Sequence, residues 1–238
     1  MSEHIVKSFA EQLDALSKGV AQMGGLVEAQ FTNAIEAIAK RDTSLAEVAI
    51  RTDERVDRLQ QSVEELALKV LALRQPMAVD LRSTLGAIKI ASELERIGDY
   101  AKNIGKRSLV LNREPPIRLT QSLARMGRQT LAQLKSVLDA YSDRDAEAAK
   151  NVWLQDEEID ELYNSLFREL LTYMMEDPRM IGLCTHLLFV AKNLERAGDH
   201  ATNIAETVYY MASGERLPGE RPKADVTSTA PLPTEPRS

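Results

Sequence analysis

Residues 94–104 read LERIGDYAKNI, and residues 194–204 read LERAGDHATNI. Eight of the eleven positions are identical at an offset of 100 residues. An internal repeat has to be settled before any fold is assigned, because it fixes how many copies of one unit build the core. Inside it Glu95, Asp99 and Asn103 lie four apart, as do Glu195, Asp199 and Asn203. That spacing sets each trio along one side of a helix. The duplicated segment therefore reads as a helix that carries a polar ridge.

Working outward from it, the periodicity predicts three helices per copy. The first runs over 3–40, ended by Arg41-Asp42-Thr43-Ser44 with its N-cap candidates; the second covers 45–73, stopped by Gln75-Pro76; the third covers 77–111. Asn112-Arg113-Glu114-Pro115-Pro116 punctuates the chain, since a proline pair does not continue a helix. The pattern then restarts with a helix over about 118–142, a break at Ser142-Asp143-Arg144-Asp145, a helix to about 175, Asp177-Pro178, and a last helix to about 212. The Arg-Asp breaks correspond at an offset of 103 and the interrupting prolines at 102. The expected domains are a first three-helix repeat at 1–112, a Pro-containing linker at 113–117, a second repeat at 118–213, and a disordered tail at 214–238. Apolar stripes such as Ala87, Ile90, Leu94, Ile97, Ala101 and Ile104 suit bundle packing at shallow crossing angles. The fold expected is all-α: two tandem three-helix bundles related by a pseudo-twofold, six long antiparallel helices in all.

Composition narrows the function. The net charge of −6 argues against nucleic-acid binding, which needs a basic face. One cysteine, Cys184, has no partner for an internal disulfide, so a reducing, cytoplasmic compartment is the natural reading. The N-terminus lacks the basic and apolar regions of a signal peptide, and no apolar run approaches the roughly 18–20 residues of a membrane span.

At 100° per residue, Glu95, Asp99 and Asn103 fall roughly 140–180° from the stripe Leu94, Ile97, Ala101, Ile104. They are expected to form an outward ridge. The second helices add acidic pairs, Asp53/Asp57 and Asp156/Asp160, again 103 apart. Like charges at i, i+4 cost a helix roughly 0.2–0.5 kcal/mol per pair, and here four such pairs stand in duplicated register. Two accounts fit them. Neighbouring Arg55, Arg58, Arg96 and Arg196 neutralise them as surface ion pairs, or the carboxylates offer hard oxygen ligands to a metal ion. Gly98 and Gly198 cost their helices roughly 1 kcal/mol each relative to Ala, which calls for close approach of something to the backbone there.

His200 follows Asp199 and is the counterpart of Tyr100, either an extra ligand or a surface residue; His186 reads as a packing residue. Three positions beyond Glu95 and Glu195 stand Gly98 and Gly198, so the Glu-x-x-His pattern of di-iron bundles is absent. Phosphate loops, dinucleotide fingerprints and nucleophile elbows are also missing. The reading is of a non-enzyme, with a carboxylate-bundle metal-storage or di-iron oxidoreductase protein as the alternative.

Two tandem three-helix units, each with Leu-Glu-Arg-x-Gly-Asp-x-x-x-Asn-Ile on the third helix and an acidic pair on the second, resemble the PhoU family over about residues 3–213. That resemblance implies a cytoplasmic six-helix protein, often a homodimer, that represses the phosphate-starvation response when phosphate is plentiful. It implies contact with a sensor histidine kinase and with the ATPase subunit of the phosphate ABC transporter, peripheral to the inner membrane through those partners. It also implies metal (iron, zinc, manganese or magnesium) at surface E/DxxxD motifs. Carried over, the ligands are Asp53, Asp57, Glu95 and Asp99 in the first half, and Asp156, Asp160, Glu195 and Asp199 in the second. Asn103, Asn203 and His200 are further candidates.

Overall fold

The computed structural model describes residues 2–115 and 118–219; the side chains of residues 2–7 and of Asp156 lie outside the description. Helix α1 spans Ser2–Ala39, α2 Thr43–Arg74, α3 Ala78–Leu111, α4 Leu119–Asp143, α5 Ala146–Leu154, α6 Asp156–Glu176 and α7 Ile181–Ser213. A 3-10 turn, Pro178–Met180, precedes α7. Among the described residues no helix is long and apolar enough to cross a membrane.

The repeated Arg-Asp breaks have a shared local cause. Arg41 and Arg144 take the left-handed conformation, with φ of 56° and 53°. Each turns the chain out of one helix, and the aspartate that follows caps the next. Asp42 accepts from the backbone N–H groups of Ser44 and Leu45, and Asp145 accepts from that of Ala148. The Arg41 guanidinium also donates to the carbonyl of Asn112 at 2.8 Å, fastening the end of α3 to the α1–α2 turn.

Helices α1, α3, α4 and α7 form a closed inner layer in which α1 packs on α3 and α4, and α7 packs on α3 and α4. Helix α2 covers one side against α1 and α3, while α5 and α6 cover the other against α4 and α7. In the inner layer α1 meets its counterpart α4, and α3 meets its counterpart α7, the contact pattern of an approximate twofold. One hydrophobic core runs through both halves, from Leu16, Phe31 and Val56 to Trp153, Leu187 and Val208.

One expectation is corrected. The fifth long helix, predicted to run unbroken to about 175, is divided at Gln155 (φ −86°, ψ 1°) into α5 and α6. The division follows Trp153, whose buried indole donates to Glu206 of α7 at 3.1 Å. Of the segment that composition assigns to a disordered tail from 214, Leu217 packs against the core, and the part from residue 220 lies outside the described residues.

Packing of α2 on α3 is tight enough to require glycine. A Cβ on Gly105 would lie 3.0 Å from the carbonyl oxygen of Ala46 and 3.2 Å from Ile50. A backbone atom in a packed helix does not yield, so overpacking outweighs the gain in helix propensity. At exposed Gly25 an added Cβ meets nothing within 4 Å. Gly105→Ala is expected to lower the unfolding free energy by about 1–3 kcal/mol, and Gly25→Ala to raise it by about 0.5–1 kcal/mol. Urea denaturation of the two variants checks both signs.

Candidate functional site

The acidic residues do not form an outward ridge. They line the seams between α2 and α3 and between α6 and α7. Asp53, Asp160 and Glu195 are only 4–5% exposed. Asp57, Glu95, Asp99 and Asp199 are half-buried, and Asn103 alone of the trio on α3 is exposed. The angular estimate was sound relative to the stripe but assumed one packed face. Helix α3 packs on α1, α2 and α7, and α7 on α3, α4, α5 and α6. With several neighbours, positions far from the stripe are covered too.

In the first seam the four carboxylates feel one another. Burial pushes the Asp57 carboxyl above its ordinary value, and the nearby charges of Asp53 and Asp99 add to the effect. Burial likewise raises Glu95, with Asp99, Asp57 and Asp53 contributing in the same direction. A cation stands among them. The Lys102 ammonium donates to Asp53 Oδ2 at 2.5 Å and to Asp99 Oδ1 at 3.4 Å. The Asp53 hydrogen bond is the main cause of its raised pKa. Arg96 lies farther off, 3.7 Å from Glu95.

The second seam is neutralised from another position. Residue 202, the counterpart of Lys102, is threonine. Here Lys192, one turn before the motif, reaches Glu195 Oε1 at 2.9 Å and lies 4.8 Å above the ring of Tyr163 on α6. Its counterpart in the first copy, Ser92, is exposed. Asp160 is buried where its counterpart Asp57 is half-buried. The side chain of Asp156 lies outside the described residues.

His200 and Asn203, the further candidate ligands, take part in a second constellation. Both engage Glu93 of α3: the imidazole through Nδ1, and the Asn203 amide at 3.2 Å. His200 Nε2 also meets the Tyr100 hydroxyl at 3.2 Å. This network lies at the α3–α7 contact between halves. Nearby, Arg107 meets His186 at 3.3 Å and covers the Phe189 ring at 4.1 Å, so His186 joins the same contact.

With this geometry, comparison with known proteins is direct. The PhoU domain model matches residues 20–108 and 123–208. The chain belongs to the PhoU family. A phosphate-specific transport system accessory protein PhoU homolog from Caulobacter vibrioides is 56% identical over 229 residues, which is 96% of this chain and 100% of the relative. One from Rhizobium meliloti is 50% identical over 227 residues, covering 95% and 96% of the two chains. The crystal structure of PhoU from Pseudomonas aeruginosa superposes with a TM-score of 0.85 at 36% identity, covering 87% of this chain and 100% of that one.

Within this PhoU framework, two buried glutamines escaped the sequence reading. Gln30 on α1 donates to the carbonyls of Ala49 on α2 at 3.0 Å and Gly98 on α3 at 3.2 Å. Its counterpart Gln133 on α4 donates to the Thr202 hydroxyl at 3.1 Å, which in turn donates to the Gly198 carbonyl at 3.1 Å. The repeat at offset 103, Ala29-Gln30 and Ala132-Gln133, was the available signal. These contacts also account for the glycines. A Cβ on Gly98 would lie 3.1 Å from Gln30 Oε1, and one on Gly198 would lie 3.1 Å from Ile159 and 3.2 Å from Gln133 Oε1. Packed side chains supply the close approach at both glycines.

Whether the acidic seams fit a metal depends on placement as well as charge. The oxygen-rich donor set suits a hard cation. As placed, however, no three Asp, Glu, His or Cys side chains among the described residues form a group that could hold an ion. In the first seam the positive charge among the carboxylates is the Lys102 ammonium.

Two outcomes are expected. Lys102→Met leaves the nearly buried Asp53 carboxylate without its ammonium and lowers stability at pH 7 by about 2 kcal/mol. Adding Asp53→Asn restores at least half of that loss in a double-mutant cycle followed by urea denaturation. Burial works against the Glu93 carboxylate, but hydrogen bonds from His200 and Asn203 outweigh it and hold its pKa below the ordinary 4.5. A depressed folded value means the stabilisation is complete above pH about 4.5 and is lost as pH falls through that lower value. The wild type therefore shows this acid-dependent loss, and Glu93→Gln shows less of it when stability is followed from pH 7 to pH 3.

Proposed function

We propose that the protein is a non-enzymatic regulator of phosphate uptake and phosphate-starvation signalling. The observation that carries this reading is the family match across both halves, with relatives named as accessory proteins of the phosphate-specific transport system along their whole length. In this reading it is a negative regulator. It works on the cytoplasmic side, as a homodimer, and links the ATPase subunit of a phosphate ABC transporter to a sensor histidine kinase. The long helical surface suits the role, because exposed helix faces dock partner helices. Deletion of the chain in its host should raise phosphatase and transporter expression in phosphate-rich medium. Unchanged expression would sink the reading.

The metal-binding part of the proposal rests on the acidic seams. Asp53, Asp57, Glu95 and Asp99 would hold one ion, and Asp156, Asp160, Glu195 and Asp199 another. Iron, zinc, manganese or magnesium would supply there the positive charge that Lys102 and Lys192 supply in this structure. An ion at the first seam has to displace Lys102 from Asp53 and Asp99, so the lysine competes with it. Elemental analysis is expected to find less metal in Glu95→Ala/Asp99→Ala and Glu195→Ala/Asp199→Ala than in wild type, and more in Lys102→Met. Equal content in all four proteins defeats the assignment.

A further inference from the structure

A second feature lies apart from both acidic seams. Between the first half of α3, the end of α5, the last turns of α7 and the segment after it is a cleft of about 720 Å³. That volume is in the range of small-molecule sites. Its charge runs against that of the chain as a whole. Arg82, Lys89 and Arg216 line it, against a single carboxylate, Glu206, which already accepts the Trp153 indole N–H. Among the described residues no carboxylate pairs with any of the three cations.

Arg82 is the informative one. Its Nε is shielded from solvent and has no hydrogen-bond partner. An unsatisfied buried donor is costly, more so when the group is charged. An unpaired arginine on open surface pays no such penalty, so Arg82 is held ready for an acceptor. The backbone keeps room for it: Gly214, at φ 80°, passes so close that a Cβ there would lie 3.3 Å from the guanidinium carbon. The turn also brings Arg216 into the cleft beside Arg82. Two guanidiniums and an ammonium against one carboxylate, which is engaged by the Trp153 indole, select a ligand bearing several negative charges, and guanidinium forks match phosphate oxygens in pairs. The remaining wall is apolar and aromatic, with Leu85, Leu217 and Tyr210 facing the cleft. It suits a flat organic body.

We propose that this cleft binds an organic phosphate with at least two phosphate groups, of the nucleoside diphosphate class, its phosphates on Arg82 and Arg216 and its body against Leu85 and Tyr210. Lys89, two turns along α3 from Arg82, adds positive charge at the far end. The inference is independent of the regulatory reading and of metal at the seams.

Trp153, the chain's single tryptophan, lines the cleft and reports on it. The test uses the full chain in EDTA, titrated with ADP, pyrophosphate or adenosine, and read by tryptophan emission and by calorimetry. Saturable binding of ADP, weaker binding of pyrophosphate and none of adenosine are expected. Arg82→Ala and Arg216→Ala should each weaken ADP binding by roughly ten- to a hundredfold. Arg216 is exposed, so its removal leaves the fold intact. Arg58→Ala, on exposed α2 away from the cleft, should change nothing. Absence of saturable ADP binding, equal affinity in the Arg216→Ala protein, or binding of adenosine as tight as ADP would each overturn the proposal.

Discussion

A carboxylate removed from water demands a cation or a set of donors, and burial of Asp53 places that demand inside the α2–α3 seam. Much of the local architecture answers it. Lys102 bends back one turn along α3 to reach both Asp53 and Asp99. Asp57 and Glu95 stay beside it with raised pKa values, so the cluster keeps unspent affinity for positive charge. A buried ion pair of this kind contributes little net stability, because desolvation offsets the attraction.

The two halves meet this demand with different residues. Lysine at 102 serves the first seam, and lysine at 192 serves the second from the opposite end of the motif. Threonine at 202 is then free to relay a hydrogen bond from Gln133 to the Gly198 carbonyl, a link that Gln30 makes directly to Gly98 in the first half. One substitution between copies thus changes both the counter-cation and the buried polar link beneath it. The duplicated fold tolerates this because the glutamine, the glycine and the apolar contact from Val56 or Ile159 are the same in kind on both sides.

The helices and their breaks were legible because they rest on local chemistry. The Arg-Asp turns, the prolines and the apolar stripes each act within a few residues. The depth of the acidic residues was not legible, since it depends on how many neighbours a helix has. A wheel drawn on Leu94, Ile97, Ala101 and Ile104 locates one contact; it carries no information about α2 closing over the flank. Gln155 looks helical by propensity, and the division there falls two residues after Trp153, whose indole donates to Glu206 across the fold. His200 was read with its sequence neighbour Asp199, yet its partners lie on α3.

That placement of His200 joins the two seams. Tyr100 follows Asp99 on α3, and His200 follows Asp199 on α7, so the contact between ring residues ties the backbone of one acidic motif to that of the other. Glu93 tightens the tie by engaging His200 and Asn203 together. Helices are stiff over a single turn, so a change that re-aims Asp99 carries Tyr100 with it and meets resistance at His200. The α3–α7 contact thus joins the two acidic motifs through Tyr100, His200 and Glu93, a link that exists only because both copies of the unit sit in one chain.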